Sequence, residues 1–369
     1  MKKKQLELLK ILALYTIGFG LLGWMIASNW NSKVEGKPGL KDLLSRPIRY
    51  DYLALTALLM TMTLSLQIVR WFFLVRALDL PFTLRSAFRL GLVGYFFSQF
   101  LPSSIGGDAV KAFVIAKEQP ERRAAAVATV IIDRAMGLFG LLLFASVAGG
   151  VAWASGNEQI ASIPTLQNLI KFSAAFAGAM MLGYVLLGLL PAHRADRFAG
   201  RLKHIPKVGY GLAESWYAVW VYRQRVKIVL LGVCISAAAH FAMILAFYFA
   251  SRSFTADNPA GLATLPEIMV IAPIGFIVQA VPLSPGGVGL AEFFFEQLYN
   301  WIGRNGNDGL AARLALRVVE WSLGFIGYLV YLRKKKELTS AQAAAEKEAA
   351  LHGGHMVDPP MGDDGIAGK

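Results

Sequence analysis

The sequence has 369 residues, of which 56% are hydrophobic and 17% are charged, with a formal net charge of +13. A typical soluble domain carries about a quarter charged residues and does not gather its apolar residues into runs of about 20. Runs of that length are long enough for a helix to cross a ~30 Å hydrocarbon layer. The composition therefore excludes a soluble protein and predicts an all-α, polytopic helical membrane protein.

The positive charge lies mostly between the apolar runs, where it is typical of cytoplasmic loops and of contacts with anionic lipids. The sequence has no zinc-finger spacing, no RNA-binding signature and no basic helix with interleaved aromatic residues. We therefore expect no nucleic-acid partner. Cys234 is the only cysteine, which excludes an intramolecular disulfide and a cysteine-based metal cluster. We expect no cofactor and no metal site.

The N-terminus resembles a signal peptide, with three lysines before an apolar stretch, but it lacks a small-x-small cleavage site. Because this stretch is long enough to span, we interpret it as a first transmembrane helix with a cytoplasmic N-terminus. Six segments are predicted to be full spans: 8–28, 52–76, 124–152, 167–190, 227–250 and 310–332. They belong to a predicted membrane domain of residues 1–336, followed by a largely disordered cytoplasmic tail, 337–369.

Two further apolar stretches, 84–101 and 264–281, are shorter, and each ends in a cluster of helix breakers. Each is followed by an amphipathic stretch, 108–118 or 288–301. At a constant offset of 180, six identities occur over 15 aligned positions: Gln99 and Gln279, Pro102 and Pro282, Ser104 and Ser284, Gly106 and Gly286, Gly107 and Gly287, Phe113 and Phe293. Gly/Pro-interrupted segments at corresponding positions of two halves are typical of transporters built from repeats. We predict two re-entrant helical hairpins.

The distribution of Lys and Arg supports a topology in which each hairpin leaves on the side where it entered. Loop 191–227 has eight basic residues and is placed in the cytoplasm, whereas 153–166 has none and is placed outside. Loop 29–51, with five, is the exception. A topology in which both broken segments are ordinary spans, with eight or more crossings, fits these charges less well. If all four arms of the two segments crossed, however, the loops would lie on the same sides as in the hairpin topology. The hairpins then enter from opposite faces as an inverted repeat, and both termini lie on the cytoplasmic side of a bacterial inner membrane.

The helix breaks predict a binding site, because unpaired backbone groups are tolerated in a membrane only where protein or water satisfies them. A half-helix beginning at Asp108 would direct its positive end towards an anion. The alternative is a tight turn with Asp108 as the N-cap. The break residues assigned to substrate binding are Ser104, Gly106, Gly107, Asp108, Ser284, Gly286 and Gly287.

Charged residues within apolar runs are the second signal, because each is costly in a membrane and is by default functional. Those assigned to the same substrate site are Lys111, Asp133, Arg134, Glu292, Arg317 and Glu320. Arg313 and Glu296 are expected at the interface, with their charges reaching water. His240 is expected to be a hydrogen-bonded core residue. No nucleophile motif, phosphate-binding loop or metalloprotease motif occurs, so we predict no catalytic residue and no enzyme activity.

Residues 106–113, 124–129 and the Asp133-Arg134 pair together resemble a hallmark of the lysylphosphatidylglycerol synthase transmembrane-region family, also called flippase-like domain proteins. Residues 284–292 resemble its second hallmark, and the resemblance covers about residues 8–335. The family often has Arg where this chain has Lys111, and Arg or a similar residue where it has Ala291. The soluble aminoacyl-transferase domain has no counterpart in these residues. The resemblance therefore implies lipid translocation without lysine transfer.

We therefore expect a lipid flippase for an anionic head group, of the phospholipid or polyprenyl-phosphate type. The phosphate would meet Lys111, Arg134, Arg317 and the half-helix amides. An alternative is a membrane-embedded accessory or transferase in lipid or glycolipid modification, which would require Asp108 or Glu292. A third is a structural membrane protein with a partner enzyme. The expected partners are membrane lipids, with a homo-oligomer or a lipid-modifying enzyme as further possibilities.

Overall fold

The computed structural model describes residues 3–31, 37–101, 106–156, 162–205, 209–254, 261–281 and 283–351. Every regular element in these ranges is helical, as predicted. The chain divides into two compact units, Met1–Val330 and Tyr331–Lys369. Its last helix runs to Leu351, and the boundary at residue 336 stays a prediction.

In chain order the helices are α1 (Lys3–Ser28), α2 (Leu40–Leu44), α3 (Tyr50–Ala77), α4 (Leu84–Phe100), α5 (Gly106–Glu118), α6 (Arg123–Ala154), α7 (Pro164–Leu189), α8 (Ala192–Lys203), α9 (Gly209–Tyr222), α10 (Val226–Arg252), α11 (Leu265–Gln279), α12 (Leu290–Trp301) and α13 (Gly306–Leu351). Two 3₁₀ turns, Pro120–Arg122 and Pro285–Gly287, join neighbouring helices.

Five segments are long and apolar enough to cross a membrane: Tyr50–Ala77, Pro120–Ala154, Pro164–Leu189, Val226–Arg252 and Gly306–Arg333. They confirm five of the six predicted spans. The first predicted span lies in α1, whose apolar part, Leu12–Ser28, has 17 residues. That length is at the lower limit of ~17–25 residues for a crossing helix. The protein is thus a multi-pass membrane protein.

The two predicted hairpins form as pairs of short helices, α4 with α5 and α11 with α12, whose arms pack together. Side-chain caps fix where their first arms begin. Thr83 Oγ1 accepts a hydrogen bond from Ser86 N at 3.1 Å, and Thr264 with Glu267 forms a capping box at the start of α11. Glu267 also forms an ion pair with Arg304, 3.0 Å away, which fixes the turn before α13.

The ends of the two hairpins meet inside the molecule. The turn Pro285–Gly287 lies against the end of α4, so that a Cβ added to Gly286 would be 2.9 Å from Gln99 O. On one side α1 covers this turn, where Gly18 lies against Val288 O. On another side α13 packs against α4, where Gly324 faces the ring of Phe100. Close helix approaches through glycine are typical of membrane proteins.

An aromatic core holds the second hairpin in place. Phe247 of α10 lies with its ring centroid 4.3 Å from that of Phe295 in α12 and 6.2 Å from that of Phe276 in α11. All three side chains are buried. Aromatic pairs at these distances add about 0.5–1.5 kcal/mol beyond the burial of area. The second hairpin is therefore anchored to the long helices along both of its arms.

Candidate functional site

The first break lies between α4 and α5, and the paired glycines stand at its far end. Gly106 and Gly107 are the first residues of α5, so this half-helix begins two residues before Asp108, where it was predicted to begin. A Cβ on Gly107 would overlap Gly94 O and Ser98 Oγ, which is why only glycine fits. Ser104, the other predicted residue of this break, lies outside the described residues.

Three charged residues form what we call the Asp108 triad, beside this break. Asp108 is buried, its Oδ1 lies 2.9 Å from Lys111 Nζ, and its Oδ2 contacts Arg134 Nε. Lys111 Nζ also lies 5.1 Å from the centre of the Trp71 ring. The Arg134 side chain is 48% exposed. Two cations against one carboxylate give the triad a formal charge of +1 at an accessible position.

A larger charged group lies where the second hairpin meets α13. We call it the Arg/Glu cluster, and it consists of Glu292 of α12 and Arg313, Arg317 and Glu320 of α13. Arg317 Nη2 lies 2.7 Å from Glu292 Oε1, and Arg313 Nη2 donates to Glu320 Oε2 at 2.7 Å. All four residues are buried, and Arg313 is 0% exposed. The expectation that the charge of Arg313 reaches water is therefore wrong. The four formal charges of the cluster sum to zero, so the buried charges compensate one another.

The Arg/Glu cluster also fixes the backbone of the second turn. Arg317 Nη1 donates to Gly286 O at 2.6 Å, and Gly289 N donates to Glu292 Oε2 at 2.7 Å. Gly286 and Gly287 lie in the left-handed region, with φ of 54° and 71°. The cluster thus holds a turn that only glycine adopts without strain. Gly106 and Gly107, their counterparts in the first copy, are helical instead.

Several buried polar atoms at the meeting point of the hairpins have no hydrogen-bond partner among the described residues. They include Gln99 Oε1, Gln279 Oε1 and Ser284 Oγ. The two glutamines occupy matched positions of the repeat, and Gln279 Nε2 donates to Glu320 Oε1 at 3.4 Å. Because buried polar groups are nearly always hydrogen-bonded, these atoms mark a polar interior suited to water or a polar ligand.

Asp133 lies apart from the other predicted site residues. Its Oδ1 is 2.8 Å from Arg70 Nε, and Arg70 Nη1 donates to Ser236 Oγ at 2.7 Å. All three side chains are buried, so this ion pair joins α3, α6 and α10. Arg70 was not among the predicted site residues, although it is a charge within an apolar run, which is the signal that identified Asp133. His240 is buried and hydrogen-bonds Gly137 O at 2.9 Å, as expected of a core residue.

Apart from Asp133, the described site residues fall into two connected groups. The first is the Asp108 triad with Gly106 and Gly107, and the second is the Arg/Glu cluster with Ser284, Gly286 and Gly287. The contact between Gln99 and Gly286 joins the two. The arrangement combines an accessible positive group with a neutral, rigid anchor.

Both groups lie within the part of the chain that resembles known proteins. The family profile described as lysylphosphatidylglycerol synthase TM region matches residues 11–327. A UPF0104 membrane protein of Methanothermobacter thermautotrophicus is 23% identical over 290 residues, covering 75% of this chain and 83% of that protein. No solved structure gives a significant match. The matched region contains both hairpins and every charged residue of the two groups.

Proposed function

We propose that this chain, which belongs to the lysylphosphatidylglycerol synthase transmembrane-region family, is a flippase for a lipid with an anionic head group. The observation that carries this proposal is the Asp108 triad, with its formal charge of +1 and its half-exposed Arg134. Charged residues within the spans of a membrane protein are costly and are by default functional. A phosphate group has the charge and the geometry to bind the triad, because guanidinium groups bind phosphate oxygens in pairs.

The first turn of α5 also favours a phosphate ligand. Gly106 and Gly107 open a helix of 13 residues, whose N-terminal amides attract an anion. Asp108 holds both cations of the triad, so they are positioned before the ligand arrives. The buried Arg/Glu cluster is already neutral and acts as an anchor for the second hairpin rather than as a phosphate site.

In this proposal the two hairpins are re-entrant, form an inverted repeat and receive the head group between their ends. Rocking of one repeat against the other would expose the site to each leaflet in turn. The chain moves the lipid without changing it covalently, so it has partners among membrane lipids and no catalytic residue. Both termini would lie in the cytoplasm of a bacterial cell, with the spans in its inner membrane.

The test is lipid translocation in reconstituted vesicles. We expect the wild-type protein to move a fluorescent phosphatidylglycerol between leaflets, measured as its accessibility to an impermeant quencher. Arg134→Gln removes one charge-assisted contact of about 1.5–3 kcal/mol, so the rate should fall about 10- to 100-fold. Arg225→Gln is the matched control, because it breaks an ion pair with Asp79 at a similarly exposed arginine, 47% against 48%.

Unchanged translocation in both Arg134→Gln and Lys111→Gln, with both variants folded, would contradict the proposal. The accessory or transferase alternative makes a different prediction. It is favoured if the wild-type protein moves no lipid, deletion removes one modified lipid from the cell, and Asp108→Asn abolishes its formation.

A further inference from the structure

A polar cavity lies outside the two charged groups, where the ends of α1 and α12 meet the turn before α13. Its volume is about 220 Å³, enough for about seven water molecules at ~30 Å³ each. Apart from Gly306, the lining residues have polar side chains: Asn29, Asn300, Asn305, Asn307, Lys37 and Glu296. We call this space the asparagine cavity.

The asparagines of the cavity are fixed by hydrogen bonds to the backbone. Asn305 Nδ2 and Asn307 Nδ2 donate to Pro38 O at 3.1 and 3.0 Å. Asn300 Oδ1 accepts from Gly306 N at 3.1 Å, and Asn29 Nδ2 donates to Met25 O at 3.0 Å. Asn305 Oδ1 also accepts from Asn307 N at 3.3 Å. Each amide group is thus held at one or both ends and oriented before any ligand binds, which lowers the entropic cost of binding.

One amide oxygen at this cavity still lacks a donor. Asn307 Oδ1 is buried and has no hydrogen-bond partner among the described residues. Because leaving a buried acceptor unpaired costs about 1–3 kcal/mol, a group that donates to it would be favoured. Asn307, the residue that carries this oxygen, lines the cavity.

The lining also defines the chemistry of that ligand. Lys37 and Glu296 contribute opposite charges to the lining, and its other side chains are neutral amides. Side-chain amides both donate and accept hydrogen bonds, and a ligand that complements them must do the same. Hydroxyl groups meet this requirement, and acidic or purely apolar groups do not. We propose that the asparagine cavity binds a neutral, hydroxyl-rich group of about the size of one sugar ring.

One lining residue of the cavity, Glu296, is close in sequence to the Arg/Glu cluster. Glu296 follows Glu292 by four residues on α12, a rise of about 6 Å along the helix. A hydroxyl-rich group there could be a free polyol or the head group of a glycolipid, because both present the same chemistry. The inference does not depend on the flippase proposal, since binding is measured without transport.

The experiment measures binding to the purified full-length chain in a detergent that contains no sugar. Saturation-transfer NMR is recorded with glucose, myo-inositol and glycerol, and with inorganic phosphate as a charged comparison. We expect saturable signals from at least one hydroxyl-rich probe and none from phosphate. Asn307→Leu, which keeps the shape of the side chain but removes its polar atoms, should weaken binding at least about 10-fold.

Asn168→Leu is the matched control, because Asn168 is an exposed asparagine on α7 outside the cavity. Asn300→Leu provides a second variant in case Asn307→Leu does not fold. Competition by a glycosyl diacylglycerol at much lower concentration than free glucose would identify the glycolipid as the source. Equal competition would identify the free polyol. The proposal is overturned if no hydroxyl-rich probe binds, if phosphate binds better, or if the folded cavity variant binds as Asn168→Leu does.

Discussion

Asp133 and Arg134 are neighbours in sequence, yet they have opposite environments. Successive helical residues point about 100° apart, since 3.6 residues make one turn. Asp133 therefore faces the protein interior and pairs with Arg70, whereas Arg134 faces the first hairpin and stays 48% exposed. One position supports the fold, and the other is available to a ligand.

Asp133→Asn should destabilise the protein strongly, because it leaves Arg70 buried without its carboxylate. Removing one partner of a buried ion pair costs about 3–5 kcal/mol. Asp79→Asn is the control, since it breaks an exposed pair with Arg225 worth less than about 1 kcal/mol. Thermal and denaturant unfolding in detergent would measure both. Replacing the pair by Arg70→Met with Asp133→Leu should recover most of the loss, and equal effects of Asp133→Asn and Asp79→Asn would contradict the prediction.

For individual residues, the sequence predicts which charged side chains are buried, but it does not predict their ion-pair partners as well. Asp133, Arg317 and Glu320 stand out because each lies within an apolar run, and all three are buried. The pairing of Asp133 with Arg70, 63 residues away, depends on how three helices rotate against one another. Arg313 was placed at the interface because its position along the helix does not reveal that Glu320 and Glu292 surround it.

The two hairpins repeat in sequence but not in local conformation. In the first copy Gly106 and Gly107 are helical, and in the second Gly286 and Gly287 have positive φ. Glycine adopts both conformations readily, so an identical Gly-Gly pair predicts where a helix is interrupted and not how. The contact between Gln99 and Gly286 could not be predicted, because it depends on how deep each hairpin reaches.

Gly286→Ala should test whether the ends of the hairpins must touch closely. The new Cβ would lie 2.9 Å from Gln99 O, in addition to the strain of a φ of 54°. Gly156→Ala is the control, because its φ is 71° and nothing lies within 4 Å of the added Cβ. Both substitutions should lower the free energy of unfolding by about 1–2 kcal/mol, because alanine is strained in the left-handed backbone region.

Gly286→Ala should lower the melting temperature more than Gly156→Ala does, because of the contact with Gln99. It alone should slow lipid movement. Equal melting temperatures and equal translocation rates for the two variants would show that the contact with Gln99 is dispensable.

For the whole molecule, translocation by moving hairpins requires the end of the first hairpin to leave α13. A Cβ on Gly324 would lie 4.0 Å from Gln99 Cβ, within the 3.5–4.5 Å that a disulfide needs. Because Cys234 is the only cysteine, Gln99→Cys with Gly324→Cys can be made in a Cys234→Ser background. Oxidation should form the bond and stop lipid movement, and reduction should restore it.

Comparing the oxidised and reduced forms of the same variant separates locking from any effect of losing Gln99. The single Gln99→Cys variant, treated with the same oxidant, controls for damage by oxidation. Translocation at an unchanged rate in the fully cross-linked protein would mean that this contact persists through the transport cycle.

The unequal charge of the Asp108 triad and the Arg/Glu cluster has an electrical consequence for the proposed transport cycle. Moving one elementary charge through the membrane potential changes the free energy by about 2.3 kcal/mol per 100 mV. The Arg/Glu cluster is neutral and does not respond to this field, whereas the Asp108 triad carries +1. A monoanionic head group bound to the triad cancels that charge. If the repeats rock as proposed, movement of the loaded triad through the field is electroneutral and only its empty return senses the voltage, so the membrane potential would favour one direction of the cycle.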